Sequence, residues 1–380
     1  MSNYNDASIV MFPSGRKASK LYSQKPIDGT ADFTVVRASV ANEINSDGLI
    51  EEVVANMPRF DYTDGTCPSL LLEPQSTNLI TYPLSFDNAY WTKSGATVVS
   101  GQAAPSVDNP TSAFKLVASA NNGYIQRITT GTSGVNYSNS IYLKRVTGTG
   151  DVSLKDANNT ETVVVLTTSW KKFDASILST STSIYTGVKI ATLGDEVMIA
   201  FAQLEALSYA TSLMLPTTEG STTTRLKDEV SKSGLSSEIN SVEGVLYVEM
   251  AALANDATVR AISIIKDGSN FIKLLYSPTS NRVDFVAFSS GALSCNIIKF
   301  IYNTTDNAKF GLKWKQNDFA FWINGVEVGQ DLSGNVPLEM DKISFTNEGG
   351  VADKFFGKVK DLRVYKTALT DTELATLTTL

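Results

Sequence analysis

Short hydrophobic runs separated by turn residues recur along the whole chain. The sharpest pattern lies in the C-terminal part, where Leu246, Val248 and Met250 alternate with Tyr247 and Glu249. A period of two residues is typical of a strand with one buried face. Because the runs are rich in branched and aromatic residues, with Gly, Asn and Ser between them, the sequence predicts an all-β protein of tandem β-sandwiches.

Two hairpins are predicted in the same part of the chain. Asp267-Gly268 and Asn324-Gly325 each lie between two runs of apolar residues. A type I′ turn needs positive φ at both central residues, which Asn, Asp and Gly tolerate. We therefore expect positive φ at both turns.

One helix is predicted at the end of the chain. Thr370 and Glu373 have the spacing of a capping box, and Leu369 and Leu374 have the spacing of a hydrophobic staple. The remaining residues allow a short helix that docks on a sandwich. No heptad repeat is present, so a long helical stalk is not expected.

Changes in composition divide the chain into three predicted regions. Residues 1–80 have few long periodic segments and are expected to form an irregular module. Residues 81–225 alternate strand-like runs with Gly and Asn turns, which favours a jelly roll. The polar run at 217–224 is interpreted as a linker, and residues 226–380 are expected to form a second β-sandwich.

Charge and length exclude several partners. The net charge is −7 and the sequence pI is about 4.9, so no basic surface is available to neutralise phosphates, and nucleic acid is not an expected partner. No apolar stretch approaches the roughly 18 residues that span a bilayer, and an acidic surface repels anionic membranes. The first residues lack the pattern of a signal peptide, so synthesis in the host cytoplasm and release by lysis are expected.

Residue types also limit the chemistry. The chain has no histidine, which excludes a Ser-His-Asp or Cys-His mechanism and removes the commonest transition-metal ligand. Acidic residues lie mostly in turns, so the paired carboxylates of a glycosidase are not apparent. Cys67 and Cys295 are expected to be buried free thiols. No enzyme activity and no cofactor are predicted.

Several segments near the N-terminus resemble a module of phage head and tail structural proteins. The similar segments are residues 21–26, 33–39, 45–50, 58–62 and 70–79, which include Pro-Arg-Phe-Asp-Tyr and Leu-Leu-Leu-Glu. The resemblance extends to virion proteins of phages of Bacteroidetes-type hosts, including crAss-like phages. It implies a head fibre or tail appendage, located in the virion and attached to capsid or tail proteins through residues 1–80. A homotrimer is implied by analogy with phage fibres.

The two later regions resemble known sugar-binding folds. Residues 85–215 look like a carbohydrate-binding-module jelly roll, with matching segments at 86–91, 168–170 and 202–205. Residues 242–380 resemble a laminin-G or concanavalin-like domain in the Trp-Ile-Asn-Gly hairpin at 322–325 and in the segment 356–365. These resemblances imply glycan binding, and they leave a structural calcium on loop carboxylates as an open alternative.

Five residues are candidates for carbohydrate binding, because sugar sites pair aromatic platforms with hydrogen-bonding groups. They are Tyr124, Tyr185 and Trp91 in the jelly roll, and Trp322 and Asn324 in the last region. For each aromatic residue the alternative is packing in the core, and for Asn324 it is a role in the turn.

The function expected from these features is that of a virion appendage that presents lectin-like domains for weak, multivalent binding to host-surface or mucus glycans. Two alternatives remain open at this point. One is a decoration protein of the capsid or tail that binds no ligand. The other is a polysaccharide depolymerase whose active site forms between subunits.

Overall fold

The computed structural model describes residues 2–347 and 353–380. The elements before residue 80 are α1 Ser2–Asp6, β1 Ala7–Met11, β2 Arg16–Lys17, β3 Lys20–Leu21, β4 Phe33–Val36, β5 Ala41–Ile44, β6 Ile50–Val53, β7 Arg59–Asp61, β8 Ser69–Leu72 and β9 Ser76–Asn78. Those of the central part are β10 Thr92–Ser94, β11 Ala96–Gln102, β12 Ala113–Ala118, β13 Gly123–Thr130, β14 Asn136–Thr147, β15 Val152–Lys155, β16 Glu161–Val164, β17 Lys171–Leu178, β18 Ser183–Ile190, β19 Glu196–Glu205 and β20 Thr223–Arg225. Those of the last part are β21 Glu229–Lys232, β22 Glu243–Ala252, β23 Arg260–Asp267, β24 Asn270–Tyr276, β25 Arg282–Ser289, β26 Ala292–Phe300, β27 Ala308–Lys315, β28 Phe319–Ile323, β29 Val326–Asp331, β30 Lys342–Ser344, β31 Gly357–Tyr365 and α2 Asp371–Thr378.

These elements confirm the prediction of an all-β protein built from β-sandwiches. They form two compact units, of which unit 1 comprises residues 1–38, 55–74 and 227–380, and unit 2 comprises residues 39–54 and 75–226. Neither helix of the described residues has the length or the apolar composition needed to cross a membrane.

The predicted division into three consecutive regions is corrected by this arrangement. Residues 1–80 do not form a separate module, because their strands belong to both units. In unit 1, β1 and β8 pair with β31, and β4 pairs with β21. Each of β1, β4 and β8 therefore has a partner strand more than 150 residues further along the chain.

The polar run at 217–224 is also not a free linker. Its last residues enter β20, which pairs with β9 within unit 2. The Glu219 carboxylate accepts a hydrogen bond from the backbone N–H of Leu84 at 2.7 Å and another from the hydroxyl of Ser85. The run is polar because its side chains make such contacts.

Unit 1 is a sandwich of two antiparallel sheets. The eight-stranded sheet has the order β29-β28-β27-β22-β31-β8-β7, with β1 also paired to β31. The nine-stranded sheet has the order β2-β3-β4-β21-β30-β23-β24-β25-β26. Leu246 and Phe310 of the first sheet and Ile264 and Phe285 of the second belong to one buried hydrophobic cluster, which fills the sandwich.

Strand β22 is buried more completely than its sequence pattern predicts. Its even-numbered apolar residues face the sandwich core. On the opposite face, Tyr247 packs with Leu374 and Leu377 of α2. The predicted capping box of Thr370 and Glu373 is confirmed at the start of this helix. The docked helix therefore covers a strand face that the alternation left open to solvent.

The two predicted hairpins form, but with different turns. Asn324 and Gly325 have φ values of 50° and 84°, as a type I′ turn requires. Strands β23 and β24 also pair, with a register shift between Ile265 and Asp267. Neither Asp267 nor Gly268 has a positive φ, so the prediction for that turn is wrong. The chain reverses at residues 268 and 269, between the paired residues Asp267 and Asn270.

Unit 2 is a second sandwich, made from two five-stranded antiparallel sheets. The sheet named here the β13 sheet has the order β10-β13-β18-β15-β16, and the β14 sheet has the order β11-β12-β19-β14-β17. Ile125 and Val188 of the first sheet and Leu116 and Ile199 of the second lie in one core. On the outside of the β14 sheet, Ile50 packs with residues of a smaller buried cluster.

The two cysteines are free, and they differ in exposure. Cys295 is buried, and its burial raises the pKa of its thiol to about 12. Cys67 is exposed, which corrects the expectation of two buried thiols. It lies in the loop between β7 and β8, where residues 63–67 are all exposed.

Four buried charged side chains form an ion cluster in unit 1. Arg37 Nη1 lies 3.0 Å from Asp228 Oδ1, and Arg59 Nη1 lies 2.6 Å from Glu73 Oε2. Arg59 Nη2 also lies 2.5 Å from Asp228 Oδ2. Burial opposes the charge of Arg59, but Asp228 and Glu73 outweigh it, and the pKa of Arg59 lies above its ordinary value. The cluster holds the ends of β4, β7, β8 and β21 together.

Replacement of Asp228 by Asn should destabilise unit 1 by about 3–5 kcal/mol, because two buried arginines would lose their shared carboxylate. Chemical denaturation followed by circular dichroism measures the change. Glu339→Gln is the matched control, since Glu339 pairs with Lys266 at the surface and its side chain is 77% exposed. An Asp228→Asn variant as stable as this control would contradict the role given to the cluster.

Candidate functional site

Trp91 lies in the core of unit 2 and is not available to a ligand. Its side chain is 2% exposed, and its ring packs against Phe86 with a centroid distance of 5.1 Å. The indole Nε1 donates a hydrogen bond to the carbonyl oxygen of Tyr82 at 3.0 Å. The prediction of a sugar contact at Trp91 is therefore wrong, because both its ring and its polar atom are used within the fold.

Trp322 and Asn324 are also structural residues. Trp322 is 7% exposed and is buried in the cluster that contains Leu374 of α2. The Asn324 side-chain oxygen accepts a hydrogen bond from the backbone N–H of Lys309 at 2.8 Å, which fixes the turn. The structure thus assigns Trp322 to the buried cluster under α2 and Asn324 to an exposed turn, which are the alternatives given for these two residues.

Tyr124 and Tyr185, in contrast, lie on the outer face of the β13 sheet. Tyr124 on β13 is opposite Lys189, and Tyr185 on β18 is opposite Ile128. The adjacent residue Ile125 is fully buried in the core, so by strand alternation the tyrosines point outward. Both are partly exposed. They are separated by four residue positions, or about 13 Å along the strands.

This surface is called the tyrosine face below. It is defined by the side chains that point outward from the four strands β13, β18, β15 and β16 around the two tyrosines. They are Tyr124, Gln126, Ile128, Ser153, Lys155, Glu161, Val163, Tyr185 and Lys189, with Gly187 between them.

Gly187 leaves room for the side chain of Lys155 at the middle of the tyrosine face. It lies opposite Gln126 on one side and Lys155 on the other. A Cβ atom at this position would lie 2.4 Å from the carbonyl oxygen of Ile125 and 2.8 Å from Cβ of Gln126, so only glycine fits. Because no side chain stands there, Lys155 reaches across β18, and its Nζ lies 5.0 Å from the ring centroid of Tyr124.

Gln126 places an amide at the middle of the face. The pair Gln126–Gly187 lies between the pair Tyr124–Lys189 and the pair Ile128–Tyr185. Its side-chain oxygen Oε1 is buried and accepts no hydrogen bond from any residue that the structure describes. A buried acceptor without a donor costs about 1–3 kcal/mol.

Charged groups of both signs border this amide. Lys189 Nζ lies 2.7 Å from Glu161 Oε2, and Lys155 Nζ donates to Asn159 Oδ1 at 2.9 Å. Burial lowers the pKa of Lys155; the Glu161 carboxylate acts in the opposite direction, and Lys189 lowers it further. The face thus offers ammonium donors and carboxylate acceptors beside two aromatic rings.

No group of three or more Cys, Asp or Glu side chains converges as a metal site would require, within residues 2–347 and 353–380. A structural calcium has no assigned position among these residues. The chemistry available at the tyrosine face is hydrogen bonding and aromatic packing.

Comparison with known proteins gives partial structural matches. No protein-family model matches the sequence, and neither does any curated protein. The CBM40 of the Ruminococcus gnavus IT-sialidase, bound to alpha2,3 sialyllactose, is 14% identical over 37% of this chain and 84% of that one, with a TM-score of 0.32. Domain 4 of AbnA, a GH43 extracellular arabinanase from Geobacillus stearothermophilus in complex with arabinotriose, is 15% identical over 44% of this chain and 82% of that one, with a TM-score of 0.31.

A third match is the receptor binding domain of botulinum neurotoxin type G. It is 15% identical to this protein over 39% of this chain and 38% of the toxin domain's chain, with a TM-score of 0.31. At scores this low, the similarity is partial. The description of the site rests on the chain's own sheets and side chains.

Several residues of the tyrosine face were not among the sequence candidates. Gln126, Lys155 and Gly187 lie on three different strands, and they come together only through the register of β13, β18 and β15. The alternation of Ile125 with Tyr124 and Gln126 was the available signal. It indicates that the last two share a face, but it does not reveal their neighbours.

Trp91→Ala should destabilise unit 2 by about 3–5 kcal/mol, because it removes a buried indole and leaves a cavity. Tyr124→Ala, a partly exposed aromatic residue of the same unit, should cost much less. Denaturant titration of both variants measures the difference. Equal stability of the two would contradict the assignment of Trp91 to the core and of Tyr124 to the surface.

Proposed function

We propose that unit 2 binds a saccharide on the tyrosine face. The observation that carries the proposal is the position of Gln126: a buried amide oxygen without a donor among the described residues, in the row between two partly exposed tyrosines on one open sheet. Such an acceptor is suited to a ligand that brings hydroxyl groups to an aromatic surface.

Saccharides have the required combination of groups. Their C–H faces pack on aromatic rings, and their hydroxyls both donate and accept hydrogen bonds. Tyr124 and Tyr185 would supply the packing surfaces, Gln126 and Glu161 the acceptors, and Lys189 a donor. Because the tyrosines lie about 13 Å apart, the face suits an oligosaccharide segment better than a single sugar.

An open face of this kind favours weak binding at each site. Linked copies of a weak site raise the apparent affinity by roughly 10² to 10⁴ without new contacts. We therefore propose that the protein acts as a homo-oligomer, with a trimer as the expected form, on host-surface or mucus glycans.

The proposed setting is a virion, in which the protein is a head fibre or tail appendage. The support is the resemblance of segments within residues 1–80 to phage structural proteins. Since those segments supply strands to both units, attachment to capsid or tail proteins is proposed for the folded protein, not for a detachable N-terminal arm.

We propose no catalytic role for the tyrosine face. Glycoside hydrolysis uses two facing carboxylates, whereas the carboxylate assigned to this face is Glu161, which is paired with Lys189. A decoration protein without a ligand is the competing function. The occurrence of the unpartnered Gln126 oxygen on the same face as two partly exposed tyrosines supports binding over that function.

Tyr124→Ala and Tyr185→Ala should each weaken saccharide binding about tenfold, or about 1.4 kcal/mol, because each removes one packing surface. A glycan array selects the saccharide, and isothermal titration calorimetry measures its dissociation constant. Tyr302→Ala is the control, since Tyr302 is 94% exposed and lies in unit 1.

Gln126→Met should weaken the same interaction several-fold while leaving the stability of unit 2 unchanged or higher, because it replaces an unpartnered amide by an apolar group of similar size. A folded protein that binds no array saccharide would support the decoration function. If none of Tyr124→Ala, Tyr185→Ala and Gln126→Met weakens binding, the saccharide site lies outside the tyrosine face.

If the proposed setting is correct, particles purified from a lysed culture that expresses the chain should contain it in a fixed ratio to the capsid protein. Quantitative mass spectrometry of density-gradient fractions measures that ratio. Recovery of the chain in the soluble fractions alone would contradict a virion role.

A further inference from the structure

Unit 1 contains a cavity of about 480 Å³ beside its eight-stranded sheet. Ala251 and Lys358 are paired residues of β22 and β31 that line it. Their neighbours Met250 and Val359 belong to the sandwich core, so the lining residues point away from the core. The cavity therefore lies on the outer side of this sheet, within unit 1.

At one wall of the cavity the Lys358 ammonium group lies between two carboxylates. Lys358 Nζ lies 2.8 Å from Asp64 Oδ2 and 3.1 Å from Asp61 Oδ2. Burial disfavours the charge of Lys358, but the two carboxylates outweigh it, and the pKa of Lys358 lies above its ordinary value. The ammonium group thus stays charged, and the loop that carries Asp64 is held against the sheet.

Ser69 adds a polar group that no residue of the described chain satisfies. It is 1% exposed and lines the cavity, and its hydroxyl has no hydrogen-bond partner among residues 2–347 and 353–380. Buried hydroxyls in proteins are normally hydrogen-bonded. A molecule within the cavity would provide the partner.

The other lining groups limit the chemistry of that molecule. Asp64 and Asp306 contribute two negative charges, and Lys358 and Lys360 contribute two positive ones. An isolated cation would be repelled by the lysines and an isolated anion by the carboxylates, whereas an uncharged molecule with several hydroxyls can bond to both.

An apolar wall completes the lining. Ala251 and Leu253 contribute apolar groups beside the polar ones, and Ala252, which belongs to the sandwich core, lies between them in the chain. A mixture of apolar surface with a few polar groups, in a volume between about 300 and 1,000 Å³, is typical of small-molecule sites. We propose that this cavity binds one uncharged hexose unit, as a second saccharide site that is independent of the tyrosine face.

The test uses the full chain with Tyr124→Ala and Tyr185→Ala, so that binding at the tyrosine face does not contribute. D-glucose, D-galactose, D-mannose and N-acetyl-D-glucosamine are the probes, at millimolar concentrations, with saturation-transfer NMR and chemical-shift titration as readouts. At least one probe should bind, with shifts at residues 251–253 and 305–307. Binding by none of the four would overturn the proposal.

Ser69→Ala, added to the same background, should lower the affinity for the bound probe roughly three- to tenfold, because one hydrogen bond to the sugar is lost. Its melting temperature should not fall, since the removed hydroxyl has no partner in the protein. Lys360→Met should also lower the affinity for the probe, whereas Lys299→Met, at an exposed lysine of the other sheet, should not.

Equal affinity for all three variants would overturn the proposal. Because the background already lacks the tyrosine pair, failure here leaves the proposal for the tyrosine face untouched.

Discussion

The fold of unit 1 depends on the buried ion cluster of Arg37, Arg59, Glu73 and Asp228. A charge removed from water costs several kcal/mol unless partners compensate it, so each of the four side chains stabilises unit 1 only if the side chains it is paired with are present. Each of the four lies within a few residues of a position where the chain passes from one unit to the other. The cluster therefore fixes the ends of four segments that are far apart in sequence.

This constraint explains why the first 80 residues are not a separate module. Strands β1, β4 and β8 each pair with a strand from the last 155 residues, and the β5–β6 hairpin belongs to unit 2. Each unit then closes its own core, and each leaves one polar surface on the outside of a sheet. In unit 2 that surface is the tyrosine face, and in unit 1 it is the cavity beside Lys358.

Of the features that depend on neighbouring residues, two were predicted correctly from the sequence, whereas the type I′ turn predicted at Asp267-Gly268 was not found. The Asn324-Gly325 turn and the Thr370–Glu373 capping box are set by local backbone preferences, and both are present. Features that depend on register were not predicted correctly. Trp91 and Tyr124 are both aromatic residues of one unit, and only their positions in the fold decide that Trp91 fills the core while Tyr124 faces outward. Likewise, nothing local connects Gln126 with Gly187.

The central claim is that a saccharide supplies the donor that the Gln126 amide oxygen lacks. The most direct measurement is an NMR titration of the ¹⁵N-labelled chain with an oligosaccharide selected on a glycan array, observed at the side-chain amide of Gln126. The account predicts a saturable shift of that signal, together with backbone shifts at residues 124–128 and 185–189. A bound oligosaccharide that leaves the Gln126 amide and these two strands unchanged would contradict it.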